Sequence, residues 1–185
     1  MNRPPTIKYD RNEWYTPDWV LGLARDTLGT IDLDPASCAT ANAIVQARRF
    51  YDKATNGLVQ PWSGRIWCNP PYSRGLIDQF VAKLIEEYDT GNVAKGLFLV
   101  NNATETGWFQ SLLARFPACF LNKRVDFWHA ERGGDAPRQG QAIFYVGADW
   151  LGFQNVWSAA GVVVCVDTVS RIRRACDPPR PNETR

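Results

Sequence analysis

Apolar residues recur along the chain with two different periods. Between Pro17 and Leu28 they fall at Val20, Leu21, Ala24 and Leu28, the spacing of one helical face. Thr16 is placed to cap this helix, with Pro17 at its first position, where a missing N–H costs nothing, and Gly29 ends it. Ile31–Asp34 predicts a short strand running into Pro35, and residues 40–50 predict a moderate helix. Asn56-Gly57 signals a turn. Arg65–Cys68 has the character of a buried strand, stopped by Asn69-Pro70-Pro71-Tyr72, because two prolines cannot continue a central strand. Residues 75–88 give an amphipathic helix with Leu76, Phe80, Val81, Leu84 and Ile85 on its apolar side. A strand at 96–100, a helix near 105–115 and strands at 118–121, 142–146 and 162–166 follow, with a charged, glycine-rich stretch at 129–141. Strands alternating with helices predict an α/β fold with a largely parallel sheet. The later strands come without clear intervening helices, which predicts an antiparallel edge. The expected organisation is one domain over residues 1–170, with a loose arm at 1–13, and a basic, flexible tail at 171–185.

Composition narrows this picture. With 185 residues and 45% hydrophobic content, the chain suits one compact domain with a real core. The net charge of +2 neither demands nor excludes nucleic acid. Most of the eight tryptophans are expected in the core or along a cleft. Five scattered cysteines, no C-x-x-C pair and a single histidine, His129, argue against a zinc site and against a disulfide framework. No apolar run at the start resembles a signal peptide and none approaches a membrane span. A soluble cytoplasmic protein, with no metal and no membrane partner, is the expectation.

The informative chemistry lies at strand ends, where ligands sit in open α/β sheets. Asn69-Pro70-Pro71-Tyr72 follows a buried strand. An isolated tetrapeptide of this kind is in most proteins a turn. Here it can do more. The lone pair of an aromatic amine is conjugated with its ring and is a poor nucleophile. Two acceptors aimed at the two amine hydrogens pull the nitrogen toward tetrahedral geometry and free the lone pair for an electrophilic methyl group. The Asn69 side-chain oxygen and the Pro70 carbonyl are such acceptors, and they stabilise the developing positive charge. The double proline fixes the backbone, and Tyr72 offers a ring face for a base, which must be flipped out of a duplex to reach it. Upstream, Asp34 in Asp32-Leu33-Asp34-Pro35-Ala36-Ser37 reads equally well as an acceptor for a nucleoside-like cofactor or as a helix-capping acid before a turn. Trp14-Tyr15-Thr16-Pro17 can line a cofactor pocket, start a helix, or do both.

Taken in order, Trp14-Tyr15-Thr16-Pro17, Leu33-Asp34-Pro35-Ala36 and Asn69-Pro70-Pro71-Tyr72-Ser73 resemble the short phage-type DNA N-6-adenine methyltransferases, strongly before residue 75 and weakly after residue 100. Trp62 and Trp67 fall where that family has tryptophans, and the likeness continues through Trp108-Phe109 and Lys123–Phe127. The resemblance implies a Rossmann-like methyltransferase fold with S-adenosylmethionine as methyl donor and DNA as partner, in a bacterial host or phage-infected cell. It implies cofactor contacts by Thr16, Asp34 and Ala36, to which Trp14, Tyr15, Pro17, Pro35 and Ser37 are neighbours. It implies base contacts by Asn69, Pro70 and Tyr72. Asn56 stands where relatives carry an acid, and Asp52 is a second candidate. Ser37-Cys38-Ala39-Thr40 replaces the glycine-rich loop of many methyltransferases, and the short gap from Asp34 to Asn69 implies a reduced or missing middle strand.

Ser73 and the basic residues Lys123, Arg124 and Arg138 are candidate DNA contacts, the last three in a stretch with Trp128, Gly133 and Gly134. Asp126, Glu131 and Asp135 offset this charge, so a solvated loop is the plainer alternative. The tail carries five arginines against Asp177 and Glu183, which suits phosphate or simply solvent. Three rivals to adenine N6 remain. Cytosine-N4 enzymes often have serine where Asn69 stands. Protein-glutamine methyltransferases usually keep a glycine-rich first loop and an N-terminal helical domain, and neither is visible here. The third rival is a non-catalytic nucleic-acid-binding module of the same fold.

Overall fold

The computed structural model describes residues 14–73, 75–129, 133–135 and 139–165. The arm at 1–13, Arg138 and the tail at 171–185 lie outside the described residues.

A seven-stranded sheet forms the centre, in the order β2-β1-β3-β4-β8-β5-β9. Its strands are β1 (Leu33–Asp34), β2 (Arg49–Phe50), β3 (Gly64–Cys68), β4 (Val93–Asn101), β5 (Ala118–Leu121), β8 (Gln141–Val146) and β9 (Gly161–Val164). The four strands from β2 to β4 are parallel, with Leu33 beside Arg49 and Ile66, and Trp67 beside Leu97. β8 runs antiparallel to both β4 and β5, and β9 antiparallel to β5. The expected Rossmann-like α/β sheet with an antiparallel far side is therefore present. The reduction inferred from the short Asp34–Asn69 gap shows as two-residue strands at β1 and β2. Outside the sheet, β6 (Phe127–His129) pairs antiparallel with β7 (Gly133–Asp135), the latter within the glycine-rich stretch.

Each face of the sheet is closed by helices. α1 (Asp18–Leu28) and α5 (Trp150–Trp157) cover one face, where Val20, Leu21, Leu28, Phe153 and Trp157 pack on Trp67, Leu97, Leu99, Ile143 and Tyr145. α2 (Ala39–Val45) adds Val45 to this layer. α3 (Leu76–Asp89) and α4 (Gly107–Leu113) cover the other face, where Phe80, Val81, Leu84, Phe109 and Leu112 meet Ile66, Phe98, Val100 and Phe144. The alternation of partners along β3 and β4 follows the two-residue period of a strand buried on both sides.

Three expectations are corrected. Pro17, not Thr16, occupies the N-cap position of α1, with extended backbone (ψ 152°) and no side-chain cap bond, so the Thr16 hydroxyl is left for another partner. The helix expected over 40–50 stops at Val45. Gln46 turns left-handed (φ 58°) and Asn42 clamps Ala47 through both its N–H and its carbonyl (2.9 and 3.2 Å), after which the chain forms β2. The later strands are not free of helices, because α5 connects β8 to β9.

Candidate active site

The chain leaves β1 for the outer strand β2 and then returns across β1 to β3, so the connections diverge between β1 and β3. Such a switch point opens a crevice at the carboxyl ends of the two strands. Here it is a cavity of about 770 Å³. Pro35, Ala36 and Ser37 line it from the β1 end, Tyr51, Asp52, Asn56 and Leu58 from beyond β2, and Asn69, Pro70, Pro71, Tyr72 and Ser73 from the β3 end. Trp14, Tyr15 and Phe127 also stand on its wall, and Asn101 lines it from the end of β4. Tyr15 is held there by an antiparallel bridge to Trp128 (N–H to O, 2.8 and 3.0 Å).

Asn69 projects beyond the last residue of β3. Its Oδ1 is buried and has no hydrogen-bond partner within the protein, while its Nδ2 lies 3.5 Å from the Thr16 hydroxyl. A buried acceptor left unmade is costly unless a ligand satisfies it. Pro70 is buried beside it and Pro71 is exposed. The Tyr72 hydroxyl donates to Leu99 O at 3.0 Å, which fastens the ring over the end of β4 while leaving the residue 37% exposed. Burial of that hydroxyl holds its pKa well above the ordinary tyrosine value. Ser73 is exposed, and its carbonyl accepts from Leu76 N–H (2.9 Å) at the start of α3.

The two aspartates of β1 and its approach meet opposite environments. Asp34 is buried, accepts from Ala36 N–H (3.2 Å), and has its pKa pushed up to about 7 by desolvation. It borders, with Thr16, Trp67 and Asn69, a small cavity of about 40 Å³, room for about one water. Asp32 accepts from Arg65 Nε, Nη2 and N–H (2.8, 3.2 and 2.9 Å), and these bonds hold its carboxyl below the usual range. It ties β1 to β3 away from the cavity. Cys68 is fully buried, and burial raises its thiol pKa, with Asp34 adding to the effect. That suits a core residue rather than a nucleophile.

The loop after β2 forms the outer wall. Asn56 is left-handed (φ 52°) and its side-chain oxygen accepts from Leu58 N–H at 3.2 Å, so it shapes a single 3-10 turn over Gly57–Val59. Gly57 lies so close to the β1 tip that a Cβ there would stand 2.0 Å from Pro35 O. Buried Trp62 clasps this contact by donating from Nε1 to Gly57 O at 2.8 Å. Asp52 faces the cavity from just past β2. Hydrogen bonds from Thr55 N–H and Oγ1 (both 2.8 Å) lower its pKa.

Sequence reasoning missed Tyr51, Lys53, Phe127 and Asn101, all on the cavity. Recognising β2 as a strand would have directed attention to Tyr51 and Lys53. Of the candidate DNA contacts, Ser73 lines the cavity, whereas Lys123 and Arg124 do not. The Lys123 ammonium sits 4.3 Å from the Trp19 ring centroid, and Arg124 is exposed. Pro17 also stands back from both cavities, and Thr16 and Asp34 border only the smaller one. Among the described residues there is no group of three or more His, Cys, Asp or Glu able to hold a metal, and no helix long and apolar enough to cross a membrane.

The profile of the DNA N-6-adenine-methyltransferase (Dam) family matches residues 4–158. The chain belongs to this family. A DNA N-6-adenine-methyltransferase of Escherichia phage T1 is 36% identical over 110 residues, covering 58% of this chain and 42% of that protein. A protein of the same name from Haemophilus phage HP1 (strain HP1c1) is 31% identical over 136 residues, covering 72% of this chain and 76% of that protein. The chain thus spans less than half of the first relative and about three quarters of the second. The matched region of the Dam profile contains every cavity-lining segment named above.

Proposed function

We propose that this chain transfers a methyl group from S-adenosylmethionine to the N6 amino group of adenine in DNA. One observation carries the reading: the buried, unpartnered Asn69 Oδ1, next to Pro70 at the rim of a cavity at the sheet's switch point. The names of the phage relatives point to the same reaction.

The cavity of about 770 Å³ falls within the usual range for small-molecule and cofactor sites. Its aromatic, backbone and carboxylate lining suits a nucleoside-bearing cofactor, which supplies an electrophilic methyl group when bound. Trp14, Tyr15, Pro35, Ala36, Ser37 and Asn56 would hold it, with Thr16, Pro17 and Asp34 setting the shape behind them. Asp52, past the carboxyl end of β2, is the acid offered to the ribose hydroxyls. The target base leaves the duplex and stacks on the open face of Tyr72. Asn69 Oδ1 and Pro70 O accept its two amino hydrogens. They draw the nitrogen out of conjugation and stabilise the positive charge it acquires. Ser73, Lys123, Arg124 and Arg138 serve the DNA strand around it.

The test incubates mixed-sequence duplex DNA with methyl-labelled cofactor and analyses the nucleosides by mass. Label is expected on deoxyadenosine at N6. Label on cytosine, or on no base, would overturn the reading. Asn69→Ala should lower kcat by roughly 10²–10³-fold, as loss of one preorganised charge-stabilising group does, with cofactor affinity nearly intact.

A further inference from the structure

We infer that Asn101 reads the target base, donating from its Nδ2 to the ring nitrogen beside the amino carbon on the Watson–Crick edge, N1 of adenine. The inference rests on the function proposed above, and nothing in the sequence motifs pointed to this residue.

Its position follows from strand parity. Trp67 on β3, Leu97 and Leu99 on β4, and Ile143 and Tyr145 on β8 all enter the core on the α1 side. Stepping by two, Asn69, Asn101 and Gln141 fall on that same face at the ends of three adjacent strands. Asn101 and Gln141 are direct cross-strand partners, and Asn101 and Asn69 both line the cavity. Cys68 pairs with Phe98, so Asn69 stands level with Leu99, and Asn101 lies two residues further along, at roughly 3.3 Å per residue. Tyr72 bridges the interval, since its hydroxyl is fixed to Leu99 O.

The orientation of the Asn101 amide is forced by groups that cannot be reversed. Val125 N–H can only donate, and it does so to Gln141 Oε1 at 2.9 Å. Gln139 C=O can only accept, and it takes Gln141 Nε2 at 2.7 Å. Buried Gln141 therefore presents its NH2 to Asn101, which must meet it with Oδ1 (3.3 Å). The remaining Asn101 group, Nδ2, is a donor. A base lying on Tyr72 with its amino group at Asn69 and Pro70 has a ring nitrogen next to that amino group, and a ring nitrogen is an acceptor. The cavity then holds two acceptors for the NH2 and one donor for the neighbouring nitrogen, the complement of the N=C–NH2 edge of adenine.

The test compares oligonucleotides carrying adenine, 1-deazaadenine or 7-deazaadenine at a methylated site, with wild type, Asn101→Asp and Asn101→Leu. Asn101→Asp keeps an acceptor for Gln141, and Asn101→Leu is close in size. Cofactor affinity reports that each variant is folded. Wild type should lose roughly tenfold to hundredfold in kcat/KM on 1-deazaadenine, the range for an unmade specificity hydrogen bond. In both variants that penalty should shrink to less than about threefold, while the 7-deazaadenine ratio stays as in wild type. Comparing each variant's 1-deazaadenine-to-adenine ratio with the wild-type ratio cancels the altered reactivity of the analogue. A wild type indifferent to 1-deazaadenine, or variants with an undiminished penalty, would overturn the assignment. Wild-type transfer to plain adenine tests the underlying function independently.

Discussion

Asp32 and Asp34 stand two residues apart, and their fates differ because of what folds around them. Arg65 secures Asp32 as a carboxylate from 33 residues away, whereas Asp34 is shut from solvent at the β1 tip. The motif singles out Asp34 as the site acid, but that Asp32 is ion-paired and Asp34 desolvated is made by tertiary partners the sequence does not reveal. The raised pKa of Asp34, about 7, has a definite sign of effect. Between the unfolded value near 4 and about 7 the folded chain binds the extra proton. The stability this gives is complete below pH ~4, declines as pH rises, and is gone above about 7. Asp34→Asn keeps an acceptor for Ala36 N–H and removes the titration. At pH 8 it should therefore be more stable than wild type by on the order of 1–3 kcal/mol, with the gap closing toward pH 5. Its affinity for S-adenosylmethionine should fall. Urea unfolding at the two pH values and calorimetric titration with the cofactor measure both effects. A wild-type pH slope that survives the substitution would place the proton elsewhere.

At the level of elements, the legible parts were those set by local chemistry. The double proline dictated where β3 ends, and the apolar spacing dictated α1 and α3. The loop from Tyr51 to Leu58 was less legible. The moderate helix expected over 40–50 is ended at Val45 by left-handed Gln46 and by the Asn42 carboxamide folding back on Ala47, which releases β2. The Asn56-Gly57 turn was visible as a turn, but its purpose was not. It brings Gly57 backbone against Pro35 O, at a distance that leaves no room for a side chain. Gly57→Ala should push the loop off the β1 tip, costing about 1–3 kcal/mol as overpacking does. Because Asp52 and Asn56 move with the loop, cofactor affinity should fall more than tenfold even in the folded fraction, a loss of about 1.4 kcal/mol or more. Equilibrium binding and thermal unfolding of the same preparation separate the two effects. Unchanged affinity would show that the loop does not shape the cofactor half of the cavity.

At the scale of the molecule, the site depends on a frame closed by α5, the helix that sequence periodicity did not reveal. Eight residues with an internal Gly152, and with apolar side chains on exposed Trp150 and Leu151 as well as on buried Phe153 and Trp157, offer too short a stretch for a helical face to stand out. In the fold it completes the α1 face of the sheet. Phe153 stacks on Tyr145 with centroids 5.2 Å apart, and Trp157 Nε1 donates to Thr27 Oγ1 at 2.9 Å, joining α5 to α1. α1 in turn follows directly from Trp14–Thr16, the segment that reaches the cavity. Trp157 is fully buried, so Trp157→Ala should cost about 3–5 kcal/mol through the cavity it leaves. Trp157→Phe should cost less, because Thr27 still donates to Leu23 O at 2.8 Å and only an acceptor role is lost. Both variants touch the frame and not the cavity wall. Urea titration should therefore show lowered midpoints, while cofactor affinity of the folded fraction, measured well below the transition, stays at the wild-type value. Weakened binding by fully folded Trp157→Phe would instead mean that the α1–α5 joint positions Trp14 and Tyr15.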